Sequence, residues 1–392
     1  MGDHDDSRGA GGRARRRRLG PLLRWGLLAL ALALVAHLLA GVEWAELAAR
    51  LAGAQPAWVT VAVALLLARF VIWTWRWRLA VERLETPPGI LPLHWMVMAS
   101  VVINHITPTA RVIGGVMRAR YLARRTGGTA GRAFGGVLFD QLVHQATMTA
   151  VTVLGVIAAG FAVGRHRLAW VSLIGLSLAA AVAAALWLRW RSREGGGFER
   201  LARYLAERAG ADGPARRAFA HGRHAIDALS TLLEDGRLVA ASIALGGSYA
   251  LVNAASQWAV FHALDQQPGF LIVLAAVSLG MAAGALAGTP GGVGATEAAM
   301  IAAFVLFGID QVDATAASLL YRGLHYATVL AVGTPALVGL ELKRRARPPD
   351  PAAADDARLE GGCAGPKAPD SGEGTPQDRR SPAHDHRSPA ER

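Results

Sequence analysis

The chain has 392 residues, 53% of them hydrophobic and only 18% charged, with a mean hydropathy of +0.30. Its apolar residues form runs near 20 long, enough for helices to cross a hydrocarbon core roughly 30 Å thick, so composition excludes a soluble globular protein. The net charge of +12 lies in loops and tails flanking those runs, where membrane topology puts arginine, so nucleic-acid binding is not expected, and the lone Cys363 leaves no intrachain disulfide or Cys-based metal site.

In chain order, residues 1–18 form a basic tail ending in Arg15-Arg-Arg-Arg18, read as cytoplasmic. Pro21 to Gly41 is long enough to span as a retained helix rather than a cleaved signal. A second span from Ala57 to Ala80 carries Arg69 and ends in Trp73-Thr-Trp-Arg-Trp-Arg78, an interfacial belt on the inner side. Arg69 reads as a snorkelling or internally paired arginine.

The third block, Ile90 to Thr107, is followed by Arg111, Arg118, Arg120, Arg124, Arg125 and Arg132. A full crossing would leave these arginines outside. The block is therefore expected to enter the membrane, break between Asn104 and Pro108, and return. Spans from Phe134 to Gly160 and Leu168 to Leu188 precede a charged helical loop, 189–237, too short to bury an enzyme core. Leu238 to Leu264 and Phe270 to Gly288 then lead to Thr289-Pro-Gly-Gly-Val-Gly-Ala-Thr-Glu297.

That stretch sets a proline, three glycines and a carboxylate between two apolar segments. Backbone groups freed by such a break need partners, so it is expected to line a cavity rather than face lipid. Glu297 is an ionisable group at membrane depth and a site candidate. Ala295 to Phe307 and Ala314 to Leu340 complete the spans. Residues 19–342 thus read as one membrane domain: all-α, polytopic, about eight transmembrane segments with one or two broken or re-entrant elements. Residues 343–392 open with Lys343, Arg344 and Arg345, which puts the C-terminus inside, and lack apolar periodicity, so a disordered tail is expected. Thr107-Pro108 and Thr289-Pro290, each close to paired glycines, suggest two broken elements entering from opposite faces, a transporter arrangement.

These motifs resemble the transmembrane region of the lysylphosphatidylglycerol synthase, or flippase-like, family over most of Pro21 to Leu340. Pro290-Gly-Gly-Val-Gly-Ala-Thr-Glu297 is similar to that family's Pro-Gly-Gly-(Ile/Val)-Gly-x-x-Glu. Asn104, Pro108, Arg111, Gly114 and Arg118 before Tyr121-Leu122 match a second element, and Arg322 in Leu320-Tyr-Arg322 a third. Two positions depart from the pattern: Gly115 stands where an acid is common, and Asp140-Gln141 with His144 replaces an acid–arginine pair followed by an acid. The resemblance implies movement of a phospholipid, in some members aminoacylated, between leaflets of the cell membrane. It also implies a separate synthase partner, since the loop and tail here are too short for the soluble domain.

The candidate site is therefore a polar cavity made by Glu297, Arg118, Arg111, Asp140 and Arg322 with Asn104, Pro108, Gly114, Thr289, Pro290, Gly291, Gly292 and Gly294. Arginine forks suit a headgroup phosphate, and Glu297 either pairs with Arg322 or receives a cationic headgroup. The competing expectations are a structural Glu297–Arg322 ion pair, inner-leaflet anchoring by Arg111 and Arg118, and Asn104 as a helix-break cap. As functions, a carrier or accessory subunit for lipid-linked glycans or a glycosyltransferase stands second. An intramembrane enzyme built on Ser248 of Gly246-Gly-Ser-Tyr249 stands third. No nucleotide motif is present and His37, His94, His105, His144, His262 and His325 lack metal spacing, so no cofactor or metal is expected.

Overall fold

The computed structural model describes residues 44–107, 112–167, 170, 214–287 and 289–346. The expected spans at 21–41 and 168–188, the 189–213 part of the loop and the tail from 347 lie outside them. The described residues form an all-helical membrane protein: α1 (Trp44–Ala52), α2 (Pro56–Leu84), α3 (Ile90–Ile106), α4 (Val112–Thr126), α5 (Ala130–Ala162), α6 (Pro214–Glu234), α7 (Gly236–Ala263), α8 (Phe270–Ala287), α9 (Ala295–Leu306) and α10 (Gln311–Ala346), with a 3-10 turn at Pro290–Gly292. Among them, five helices (α2, α5, α7, α8 and α10) are long and apolar enough to cross a membrane.

Local chemistry sets the boundaries. Pro56 opens α2, where its missing N–H costs nothing. Thr129 caps α5 by accepting from the Arg132 N–H, and Asp235 caps α7 by accepting from the Arg237 and Leu238 N–H groups. With 29 residues, α2 is roughly 43 Å long; α9, with 12, reaches only about 18 Å and cannot cross alone.

The backbone of α2 and α7 runs antiparallel, the Gln55 N–H bonding the Ala263 carbonyl and Arg69 meeting Asn253. Each is followed by a hairpin that turns back to the end it left. α3 starts after Glu85 and α4 ends at Thr126, whose hydroxyl donates to Glu85. α8 and α9 do the same from the opposite end, with Phe307 beside Ala275. A long helix completes each unit, α5 after the first hairpin and α10 after the second. They too run oppositely: Asp313 at the start of α10 meets Arg50 near the start of α2, and Glu341 at its end accepts from Tyr121 on α4. The chain from α2 to α5 and that from α7 to α10 are therefore inverted copies of one plan. Thr289 lies 182 positions after Thr107, and Arg322 lies 182 positions after Asp140.

Two apolar clusters hold the units. One joins Leu66, Val260, Val277, Phe304 and Ala317; the other joins Phe70, Trp77, Met98, Leu122 and Val137. α6 seats on α5 at Gly135, where a Cβ would fall 2.5 Å from the Ala225 carbonyl. The Trp73–Arg78 belt needs a correction. Trp75 is exposed, but Arg76 and Trp77 are buried, because a helix turns 100° per residue and presents only some members of the run to the core.

Candidate functional site: a polar cavity between two broken hairpins

The second break is built from glycine. Gly291, Gly292 and Gly294 have φ of 59°, 71° and 84°, a region where a Cβ is strained, so the chain can leave α8 and re-enter α9 within a few residues. The α8–α9 approach also requires Gly284, whose Cβ would lie 3.3 Å from Gly292 Cα and would overlap Thr296 Oγ1.

The groups freed by the break are then satisfied. Thr289 donates to the Val293 carbonyl, and the Gly294 N–H donates to Glu297 Oε2 at 2.8 Å. Glu297 sits in the first turn of α9, where a carboxylate suits the exposed N–H groups. Its other oxygen accepts from Arg322 Nε at 2.5 Å, and Arg322 Nη2 donates to the Gly291 carbonyl at 2.9 Å and to Tyr326 at 2.5 Å. One arginine thus ties α10 to both the break and the acid that closes it.

The first hairpin meets this break. Asn104 Oδ1 accepts from the Gly114 N–H at 3.1 Å, and Gly114 is close enough that a Cβ would collide with that oxygen. His105, on the last turn of α3, packs on Gly291 and stacks edge-on against Tyr326 at 5.4 Å. Its Nε2 lies 3.0 Å from His325 Nε2, and His325 Nδ1 meets Arg69 Nη2. A guanidinium only donates, so His325 Nδ1 must accept and its proton sits on Nε2, which donates to His105; His105 Nδ1 in turn donates to the Val101 carbonyl at 2.7 Å. Arg69 also bonds Asn253 and Tyr321, so α2, α7, α10 and α3 share one polar chain.

A cavity of about 220 Å³ lies among these groups. Its wall takes Asn104, His105 and Thr107 from the first hairpin, Gly284, Thr289, Gly291, Gly292 and Thr296 from the second, and Arg69, Trp73, His144, Gln145, Tyr249, Arg322 and His325 from the long helices.

A second charged cluster sits apart from the wall. Asp140 on α5 accepts from Arg76 Nε at 2.8 Å, from Arg118 Nη2 at 2.9 Å and from Trp73 Nε1 at 2.9 Å. Arg118 also lies over the Trp77 ring at 4.6 Å, and Arg76 reaches His144 Nδ1 at 3.1 Å. Asp140 and Arg118 are 1% exposed and Arg76 2%. Trp73 and His144 touch both this cluster and the cavity.

Of the residues singled out from sequence, Asn104, Thr289, Gly291, Gly292 and Arg322 reach the wall; Glu297 stands one bond behind it. Gly294 opens α9, Pro290 opens the 3-10 turn and Gly114, on α4, is where that helix packs against α3. Arg118 and Asp140 form the neighbouring cluster instead, and Pro108 and Arg111 lie outside the described residues. Ser248 is on an exposed face of α7, donating to the Ala244 carbonyl. Sequence reasoning passed over Trp73, Arg76, His105, Asn253, Tyr321 and His325 as site residues. Positions 69, 73 and 76 on α2, and 318, 321, 322 and 325 on α10, repeat at helical spacing within apolar helices, a polar stripe that could have found several of them.

A search of curated proteins returns no match. Among protein families, residues 24–333 match the one described as the lysylphosphatidylglycerol synthase TM region. That match covers most of the chain, and this protein belongs to the lysylphosphatidylglycerol synthase TM region family.

Proposed function

We propose that this multi-pass membrane protein is a lipid translocator that carries a phospholipid headgroup through the cavity between the two hairpins while the acyl chains stay in lipid. The physical problem is desolvation: a charged headgroup entering hydrocarbon unpaired costs several kcal/mol or more, and a lined polar path removes that cost. The observation that carries the reading is the cavity itself. Two arginines, Arg69 and Arg322, border it at the meeting point of two inverted broken elements. Placing a site at such a junction lets the two units rock about it and open it to either leaflet in turn. In this reading the chain sits in the cell membrane with both termini cytoplasmic, and a separate synthase or glycosyltransferase supplies or consumes the lipid.

The test is exchange of labelled phospholipid between leaflets of liposomes holding the purified full-length chain. Protein-dependent exchange, lost in Glu297→Gln and Arg322→Gln at matched reconstitution, is the expected result. Wild-type rates in both variants, or no exchange of any lipid, would overturn it, the latter in favour of a carrier for lipid-linked glycans.

A further inference from the structure

We infer that the headgroup taken by this cavity is anionic, an unmodified phosphate with a short neutral substituent, and not a cationic aminoacylated one; this rests on the cavity being the headgroup site. Among the described residues, the side chains that line it with a permanent charge are Arg69 and Arg322, and no carboxylate lines it. Glu297 and Asp140, the acids of the two neighbouring clusters, are each paired with arginine behind the wall. Glu297 has one oxygen on Arg322 and the other on the Gly294 N–H, and Asp140 has both oxygens bonded by Arg76, Arg118 and Trp73. A lysyl ammonium entering here would meet two guanidinium groups and, among the described residues, no carboxylate on the wall.

The donors point the same way. Arg69 is 3% exposed and lines the cavity, its two terminal nitrogens held by Asn253, Tyr321 and His325, so its charge is fixed at the wall. Arg322 has Nε on Glu297 and Nη2 on Gly291 and Tyr326, which leaves Nη1 for an incoming oxygen. Asn104 and Thr289 add polar groups suited to a hydroxylated substituent. Aromatic faces are the other means of holding a cation, and two of the four aromatic rings on the wall already carry one: Arg118 lies 5.5 Å from the Trp73 centroid and Arg69 4.7 Å from that of Phe70. The volume, about 220 Å³, is below the roughly 300 Å³ at which pockets for drug-sized ligands begin, which also favours a small headgroup.

The experiment measures binding separately from movement. Full-length protein in detergent is titrated with short-chain phosphatidylglycerol, phosphatidylcholine and lysyl-phosphatidylglycerol, with thermal midpoint as the readout. Phosphatidylglycerol should bind at least tenfold tighter than the lysyl form. Gln145, on the cavity wall, offers an isosteric reversal: Gln145→Glu adds a carboxylate without removing volume and should narrow that ratio at least threefold. Arg322→Gln should abolish the preference; should that variant fail to fold, Gln145→Glu carries the test alone. Equal or tighter binding of the lysyl lipid, or an unchanged ratio in Gln145→Glu, would overturn the inference. Anion-selective binding without leaflet exchange would sink translocation and leave the headgroup class standing; exchange that prefers the lysyl lipid would do the reverse.

Discussion

The two ion clusters occupy matching places in the two inverted units, and their charges are exchanged. In the first unit an arginine on the hairpin, Arg118, meets an acid on the long helix, Asp140; in the second an acid on the hairpin, Glu297, meets an arginine on the long helix, Arg322. Their surroundings differ more than their chemistry. Asp140 is shared by two arginines and a tryptophan and is sealed, whereas the Glu297–Arg322 pair stands at a cavity and at a glycine-built backbone break. The comparison separates an ion pair sealed in packing from one that borders a cavity; under the proposed function the first is a lock and the second a working part.

The sharpest way to break this comparison is Asp140→Ala. It leaves Arg76 and Arg118 buried without their acid, so a loss of about 3–5 kcal/mol is expected, seen as low yield or a collapsed thermal midpoint in detergent. A variant that melts like wild type would mean the first cluster is no lock. Glu297→Gln should divide the other way: exchange falls roughly tenfold or more while stability falls by less than in Asp140→Ala, because glutamine keeps an acceptor oxygen and the pair borders a cavity. A stability loss as large as that of Asp140→Ala would make the two clusters equivalent.

Gly284→Val sharpens the role of the break. Its side chain would press on Thr296 and Gly292, and overpacking of about 1–3 kcal/mol should part α8 from α9. Cysteine cross-linking between these helices, compared with wild type, reads the separation. The smallest effect concerns Asp235, at the α7 N-terminus outside the spans. Its bond from the Leu238 N–H, aided by Arg83, holds its carboxyl below the usual value. The stability this contributes is present above the unfolded pKa and lost as pH falls through the folded one, so Asp235→Asn should flatten the acid limb of a melting-versus-pH curve by lowering the midpoint slightly at neutral pH while leaving it nearly unchanged in acid.

Much of the fold was legible. The expected span at 57–80 is α2 at Pro56–Leu84, that at 134–160 is α5 at Ala130–Ala162, and that at 314–340 is α10 at Gln311–Ala346. The ends differ because capping residues such as Thr129 and Asp235 continue helices past their apolar runs. The site was legible in part. Glu297 and Arg322 declare themselves as charges within apolar runs, but the His105–His325 contact joins positions 220 apart and has no local signature.

By itself, then, the sequence determined the features that solvent and local sterics dictate: which runs enter lipid, where proline and glycine must break them, and that charges placed there need partners. Only the tertiary structure decided which partners they find. Asp140 could have faced either Arg76 or Arg322 on sequence grounds, and the inverted packing of two hairpins assigned it to a sealed cluster while leaving Arg69 and Arg322 around open space. Pairing across such distances depends on how α2, α5, α7 and α10 pack side by side, a property of the assembled bundle and of no single segment.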